Sequence, residues 1–286
     1  MSKIVLDGAI DLHCHFGPET VIGVPHSVDA FEAAQDAAAL GFAAIVLKSH
    51  DFPSNSVAYA VAQTVSDVHV HGSICCDFCV GGLNPAAVET ALRDGAAIVW
   101  LPTISSQQDV VNGVAALLGI PGPGIELLDE DGRLLPAVSE ILSLIAQYDA
   151  IAATGHTSAA EHFAVARDFA QRGRLVVTHA MNAGAGPQLS VQECTELAQL
   201  GAHIELAAAT CMAGHGPSVG DVVKAIEAIG ADRIVLSTDY GWNSELPRPA
   251  AGLHAYVDAL WEFGAPEAQL RQMTCDNPAR LLRMTG

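Results

Sequence analysis

Basic residues are scarce in this sequence. Its 286 residues include 13 Lys and Arg against 32 Asp and Glu, which gives a formal net charge of −19 with neutral histidines. A surface of this charge repels phosphate backbones and anionic lipids, so we expect neither nucleic acid nor a membrane surface as a partner. Aromatic residues make up only 5%, and no stacking platform for bases is therefore expected.

Long apolar runs are also absent. No run of about 18 apolar residues suggests a membrane span, and the first residues, MSKIVLDGAIDLHCHF, contain no apolar stretch long enough for a secretion signal. Cysteine pairs are few, because only Cys76 and Cys79 form a C-x-x-C motif and no second pair completes a structural zinc site. We therefore expect the seven cysteines to be reduced thiols in a cytoplasmic protein.

The composition is that of a folded chain with alternating strands and helices. Hydrophobic residues make up 50% and charged residues 16%, which excludes a disordered chain. Short β-rich runs alternate with Ala-rich stretches, and this rhythm predicts an α/β fold, a single-domain (β/α)8 TIM barrel over residues 1–286. A doubly wound open sheet is the alternative, but no G-x-G-x-x-G motif follows the first strand. The predicted strands are Ala9–His15, Ala43–His50, Val68–Asp77, Ala96–Thr103, Ile151–Thr157, Arg174–Ala180, Ala202–Ala208 and Asp232–Tyr240.

Two segments depart from the regular spacing. Residues 104–135, rich in Gly, Pro and Asp, follow the fourth strand, and a barrel would place them on its catalytic face. We predict a lid or substrate-contacting loop there, with an inert surface excursion as the alternative. Residues 266–286 are predicted to form a closing helix pair with a break at Asn277-Pro278.

Histidine and aspartate residues end several of the predicted strands. His13 and His15 end the first strand and share one face, because strand side chains alternate. His156, His179 and Asp239 end the fifth, sixth and eighth strands. The carboxyl ends of barrel strands converge on one pocket, and imidazole and carboxylate donors suit Zn²⁺, Mn²⁺ or Fe²⁺. The pattern predicts a divalent metal site, in which Asp11, on the same face, orients one of the imidazole rings.

This combination resembles the motif set of the amidohydrolase superfamily: H-x-H after strand 1, His after strands 5 and 6, and Asp after strand 8. The resemblance implies a metal-dependent TIM-barrel hydrolase with one or two divalent ions, zinc being favoured and manganese or iron being alternatives. It implies His13, His15 and Asp239 as metal ligands. His156 and His179 would be ligands at a second metal, or one ligand and one substrate contact. Asp239 would also take a proton from the attacking water.

One departure from the family pattern concerns the fourth strand. Many two-metal members carry a bridging Lys or Glu there, whereas this strand ends at Thr103 without one, which suggests a branch that lacks the usual residue. Lys48 and His50 share a face at the end of the second strand. Three interpretations of Lys48 are open. It is either a displaced bridging carbamate, or an ammonium that binds a substrate carboxylate or oxyanion, or a lysine that reaches solvent. His50 is an extra ligand or a proton carrier, so the metal count stays open.

Two acidic residues are left without a firm role by the sequence. Asp77 follows the third strand and could face the pocket, but no pattern requires it. Glu205 shares a strand face with His203 and could reach the floor of the pocket or bind a barrel neighbour, and we favour a buried, hydrogen-bonded pair.

The predicted function is hydrolysis of a C–N or C–O bond in a small molecule: an amide, a cyclic amide or a lactone. The alternatives are a metal-dependent decarboxylase on the same scaffold, a phosphoesterase, and a non-catalytic metal-binding module. Association into a homo-oligomer is left open, since soluble barrels often associate through their helices. The residues predicted to act in catalysis are Asp239, Lys48 and His50, and those predicted to bind substrate are Lys48, Trp242 and Asn243.

Overall fold

Parallel strands alternate with helices throughout the computed structural model, which describes residues 4–284. Within these residues the strands are Ile10–His15 (β1), Ala44–Lys48 (β2), His69–His71 (β3), Ser73–Cys75 (β4), Ile98–Trp100 (β5), Ile151–Ala153 (β6), Arg174–Val177 (β7), His203–Ala207 (β8) and Ile234–Ser237 (β9). The α-helices are Ala30–Ala39 (α1), Asn55–Ala62 (α2), Pro85–Arg93 (α3), Gln107–Asn112 (α4), Val114–Leu117 (α5), Pro136–Gln147 (α6), Ala159–Phe169 (α7), Val191–Gln199 (α8), Ala208–Cys211 (α9), Val219–Ile229 (α10), Pro249–Glu262 (α11), Glu267–Arg271 (α12) and Asn277–Leu281 (α13). None of the helices in this part of the chain has the length and apolarity needed to cross a bilayer.

The third barrel strand is divided in two, whereas the sequence predicts one strand. β3 pairs in parallel with β2, and β4 pairs in parallel with β5. The division falls at Gly72, where a Cβ atom would come within 2.5 Å of Asn55 Cα. The hydroxyl of Ser73 donates to Leu47 O (2.8 Å), so a side chain replaces the backbone pairing between the second strand and β4.

The ring of strands closes between its first and last members. The remaining strands, β4 to β9, follow one another in parallel. Asp239 N donates to His13 O (2.9 Å), and His15 N donates to Tyr240 O (2.9 Å), so β1 pairs with the segment that follows β9. The predicted (β/α)8 barrel is thereby confirmed, with β3 and β4 together as its third strand.

Asp11 reinforces this seam. Its buried carboxylate accepts hydrogen bonds from Thr238 N (3.1 Å), Thr238 Oγ1 (2.5 Å) and His13 N (3.1 Å). The expectation that Asp11 orients an imidazole ring is therefore wrong, because the backbone and hydroxyl groups of the seam take up its two oxygens.

Apolar side chains fill the barrel, and the C-terminal helices cover its lower end. Leu281 belongs to the same buried cluster as barrel-interior residues such as Leu12, Trp100 and Val235. A π-helical turn at Gln272–Asp276 links α12 to α13. The predicted break at Asn277-Pro278 is not found, because Pro278 lies in the first turn of α13, where its missing N–H is not needed. Residues 285–286 of the predicted closing segment lie outside the described residues.

Replacing Gly241 with alanine should destabilise the seam. Gly241 has a φ of +115°, and a Cβ atom there would lie 1.9 Å from His15 O. Gly95 is the matched control, since it also has a positive φ (+89°) but nothing lies within 4 Å of an added Cβ. We expect Gly95→Ala to cost about 1 kcal/mol of unfolding free energy and Gly241→Ala at least ~2 kcal/mol more. Denaturant unfolding measures both, and equal losses would contradict the close approach.

Candidate active site

A cavity of about 570 Å³ opens at the carboxyl ends of the barrel strands. His13 lies immediately beneath it, fully buried. The loop after β1, the segment after β5 and the loops after β7, β8 and β9 surround its mouth. The predicted site residues that line the cavity are His15, Lys48, His50, His156, His179, Asp239, Trp242 and Asn243.

His13, His15 and Asp239 converge at the base of the cavity. His13 Nε2 lies 3.0 Å from Asp239 Oδ1, and His15 Nε2 lies 3.2 Å from the same oxygen. Their candidate ligand atoms all lie within 4.8 Å of one another. His179 is close by, its ring centroid being 5.9 Å from that of His13. His156 lies further from this group, beside His179, and the centroids of the His156 and His179 rings are 4.6 Å apart.

Glu205 fixes the orientation of His13. Its Oε1 lies 3.0 Å from His13 Nδ1 and accepts from Ser237 Oγ (2.7 Å), and its Oε2 accepts from His179 N (2.7 Å). The favoured buried, hydrogen-bonded pair is therefore formed with His13 across the barrel, whereas His203 Nδ1 has no hydrogen-bond partner. A neutral His13 therefore carries its proton on Nδ1 and presents Nε2 to the site.

Electrostatics favour a positive charge at His13. Burial and the nearby Lys48 lower the pKa of His13, but Asp239 and Glu205 outweigh them and raise it to about 9. Burial also raises the pKa of Glu205, yet His13 reverses this effect and lowers it to about 2. The two carboxylates thus stabilise a cation between them.

Three other cavity imidazoles, those of His15, His156 and His179, are held neutral. Burial is the main cause that lowers the pKa of His15, and it lowers the pKa of His156 well below the usual value. Burial, supported by the neighbouring His156, lowers the pKa of His179 to about 3. Neutral imidazoles are the form that binds metal ions.

Two further carboxylates lie behind cavity histidines, and the sequence assigned them no role. His50 Nδ1 contacts Asp77 Oδ2 (3.3 Å) and Thr103 Oγ1 (2.8 Å). Glu19 Oε2 lies 3.7 Å from His15 Nδ1, beyond a normal hydrogen bond. Asp77 follows a strand and was a visible candidate, whereas Glu19 lies in a loop where strand alternation gives no signal. Asp77 therefore helps to set the orientation of the His50 ring, whereas Glu19 makes no hydrogen bond to His15 Nδ1.

Lys48 lies in the floor of the cavity and does not extend to solvent. Only 1% of its surface is exposed. Its Nζ lies 2.9 Å from His13 Nε2 and 4.6 Å from the centroid of the Trp100 ring. A buried cation beside an aromatic face and an imidazole is positioned to meet an anionic group in the cavity.

The backbone is strained at two of the site residues. His179 has a φ of +22° and Asp239 a φ of +55°, which cost about 1–3 kcal/mol each in residues other than glycine. Trp242 Nε1 donates to Asp239 O (2.8 Å) and helps to hold this conformation. Such strain is concentrated at functional sites.

The donor set at the base of the cavity fits a divalent cation. Imidazole nitrogen and carboxylate oxygen are preferred ligands of Zn²⁺. His13 Nε2 and Asp239 Oδ1 face each other as acceptors when the Nδ1 proton of His13 is directed to Glu205, and a cation between them removes the repulsion. His179 Nδ1 is buried without a hydrogen-bond partner. His179 is therefore a further candidate metal ligand beside these residues. His13, His15 and Asp239 are the residues that would hold the ion.

The mouth of the cavity is apolar. Val21, Ile22 and Val24 line it from the loop after β1. Val114 and Leu117 line it from the segment after β5, where Leu117 is 85% exposed. Large exposed aliphatic side chains at a pocket entrance are typical of a site that binds an apolar group.

The fold and this cavity define a (β/α)8 barrel with an open pocket at the carboxyl ends of its strands. By sequence, the chain belongs to the family of unknown function DUF6282, whose model matches residues 8–205. No curated protein matches the chain.

Solved structures of low sequence identity share the fold. A 2,6-dihydroxybenzoate decarboxylase from Rhizobium is 16% identical, with a TM-score of 0.63 over 98% of this chain and 100% of the other. An amidohydrolase from Pseudomonas aeruginosa is 14% identical, with a TM-score of 0.61 over 97% and 96%. A probable 2-pyrone-4,6-dicarboxylic acid hydrolase from Acinetobacter baumannii is 12% identical, with a TM-score of 0.61 over 97% and 100%.

Replacing Glu205 with glutamine should weaken metal binding. The amide keeps the shape of the side chain but removes the charge that orients His13, and losing such a partner typically costs 10- to 100-fold in affinity. Zinc affinity, measured by competition with a chelator, should fall by this factor. Glu196→Gln on α8 is the control, and its affinity should equal that of the wild type. Unchanged affinity in Glu205→Gln would show that Glu205 does not support a metal ligand.

Proposed function

We propose that this protein is a metal-dependent hydrolase that cleaves a C–N or C–O bond next to a carbonyl group in a small molecule. An amide, a cyclic amide or a lactone are the substrate classes. The observation that carries the proposal is the convergence of His13 Nε2, His15 Nε2 and Asp239 Oδ1 within 4.8 Å, at the base of an open cavity. The shared fold of enzymes named as a hydrolase and an amidohydrolase supports it.

The residues of the site have different roles in such a reaction. A divalent ion, zinc by preference, supplies Lewis-acid polarisation of the carbonyl oxygen and makes water a stronger nucleophile. Both histidine contacts of Asp239 use Oδ1, so Oδ2 is left to accept a proton from the attacking water and return it to the leaving group. We assign His179 as a further ligand, His156 as a substrate contact and His50 as a proton carrier.

The cavity limits the substrate to a small molecule. Its volume of about 570 Å³ lies within the range of small-molecule sites. Val21, Ile22 and Leu117 at the mouth suit an apolar body, while Trp242 and Asn243 form part of the wall beside Asp239. A substrate with one reactive polar end and one apolar end matches this distribution.

Replacing Asp239 with asparagine should abolish most turnover while much of the metal is retained. The amide oxygen still serves as a ligand but does not take up a proton, so we expect kcat to fall at least ~100-fold. Elemental analysis should give about one or two divalent ions per chain in the wild type.

Asp67→Asn, at an exposed position, is the control and should retain wild-type turnover. Turnover of Asp239→Asn at the wild-type rate would remove Asp239 from the mechanism. Wild-type protein that binds no zinc or manganese would refute the proposed function.

Decarboxylation is the second candidate, and the position of Lys48 favours it. A buried ammonium 2.9 Å from His13 Nε2 is placed to hold the carboxylate of a substrate close to the candidate metal ligands. The C–C bond then breaks with its electron pair left on carbon, carbon dioxide leaves, and the carbon takes up a proton that Asp239 transfers from water. The decarboxylase with the same fold supports this candidate. A phosphoesterase ranks third, because two ions are needed and no bridging residue follows β5.

A substrate screen on zinc-loaded protein separates the two candidates. Amides, lactones and aromatic carboxylates are supplied in parallel, and both hydrolysis products and carbon dioxide are measured. Hydrolysis without carbon dioxide release supports the first candidate, and the reverse result supports the second.

Replacing Lys48 with methionine should raise KM for a carboxylated substrate about 10- to 100-fold, since a hydrogen bond to a charged group contributes roughly 1.5–3 kcal/mol. The matched control is the methyl ester of the same substrate, measured as a competitive inhibitor, and its inhibition constant should be the same for the variant and the wild type. Equal effects on acid and ester would contradict carboxylate binding by Lys48.

Incubation of the wild type with ¹³C-bicarbonate, followed by ¹³C NMR, tests whether Lys48 forms a carbamate. A carbamate signal would exclude the ammonium role.

A further inference from the structure

The segment after β5 contributes a buried carboxylate to the site. Asp109 lies on α4 and is fully buried. Its Oδ2 lies 2.7 Å from His156 Nδ1, and its Oδ1 accepts from Gly186 N (3.0 Å). One oxygen therefore accepts from the loop after β7, and the other faces the Nδ1 atom of a cavity histidine. This contact could not be predicted from the sequence, because Asp109 lies far from any strand end.

Helix α4 holds the backbone around His156 as well as its ring. The hydroxyl of Ser106, which caps α4, donates to His156 O (2.8 Å). Asn112, at the end of the same helix, donates to Gly186 O (2.7 Å). The helix is thus attached at both ends to loops that carry cavity residues.

The same segment forms one side of the apolar mouth. Gly113, with a φ of +84°, turns the chain directly from α4 into α5. Val114, Leu117 and Leu118 then line the cavity. The group that contacts the His156 ring and the groups that would contact an apolar substrate are therefore only a few residues apart on one helical hairpin.

We propose that Asp109 is a positioning residue that holds His156 with its proton on Nδ1 and its Nε2 free toward the cavity, while Val114, Leu117 and Leu118 of the following segment contact the substrate. The contact stands independently of any reaction, whereas the role given to His156 rests on the proposed function. A carboxylate is required, because an amide provides one acceptor and one donor for a position that needs two acceptors. Asparagine at position 109 loses one contact or forces His156 into its other tautomer.

The tautomer of His156 is measured directly by long-range ¹H–¹⁵N NMR on zinc-loaded protein labelled with ¹⁵N-histidine. His156→Gln identifies the signals by their loss. We expect the Nδ1-protonated pattern in the wild type and its loss in Asp109→Asn. An Nε2-protonated ring in the wild type, or an unchanged pattern in Asp109→Asn, would overturn the proposal. The spectrum of the wild type tests the proposed tautomer even when the variant does not fold.

Two controls separate positioning from general support of the fold. Asp131→Asn lies in the same segment at an exposed position, paired with Arg133, and should change neither the tautomer nor turnover. Ser106→Ala removes the bond to the His156 carbonyl but leaves the carboxylate, so the Nδ1-protonated pattern should persist. Loss of that pattern in Ser106→Ala would show that the hydrogen bond from Ser106 to the His156 carbonyl sets the tautomer. This result would contradict the role of Asp109.

Kinetics give the second readout once the substrate screen has supplied a substrate. Loss of a partner of this kind typically lowers activity 10- to 100-fold, and we expect kcat of Asp109→Asn to fall by that factor with KM nearly unchanged. Leu117→Asn should instead raise KM, because it removes an apolar contact without touching His156. An effect of Asp109→Asn on KM alone would overturn the positioning role. A wild type without turnover refutes the proposed function but leaves the NMR result valid.

Discussion

The arrangement of the site depends on how buried imidazoles are satisfied. An imidazole taken out of water needs a partner for each ring nitrogen, or it loses several kcal/mol. Carboxylates lie behind the Nδ1 atoms of His13, His50 and His156, so their Nε2 atoms are turned to the cavity. His15 and His179 are different, since their buried Nδ1 atoms have no hydrogen-bond partner. The cost of burial therefore determines which nitrogen the rings of His13, His50 and His156 offer to chemistry.

These carboxylates come from unrelated parts of the chain. Glu205 lies on a barrel strand, Asp77 follows a strand, and Asp109 lies on a helix inserted between barrel units. The strands fix where the histidines emerge, while the loops and the insertion supply the charges behind them. The strands thus supply the histidines, and strands, loops and the insertion together supply the carboxylates behind them. Active sites built by loops on a frame of strands are common in TIM barrels.

The sequence predicted the barrel and the histidines for a clear physical reason. Strand alternation and the parallel β/α rhythm depend on local periodicity, so the positions of His13, His156 and Asp239 follow from short-range pattern alone. Asp109 and Glu19 were missed because their contacts depend on loop geometry, for which a sequence carries no such periodicity. The partner of Glu205 could not be named for a similar reason, since side-chain parity gives the face of a strand but not which neighbour across the barrel is reached.

The seam between β1 and the segment after β9 joins the chain's earliest and latest site residues. Backbone bonds at this seam come from His13, His15, Asp239 and Tyr240, and three of these four residues also supply the convergent donor atoms. The donors of the two edges are consequently apart in any partly folded chain whose ring is still open. A cation that bridged the two edges would bind only the completed ring and would stabilise it by mass action, so that assembly of the barrel and capture of the ion would be thermodynamically linked.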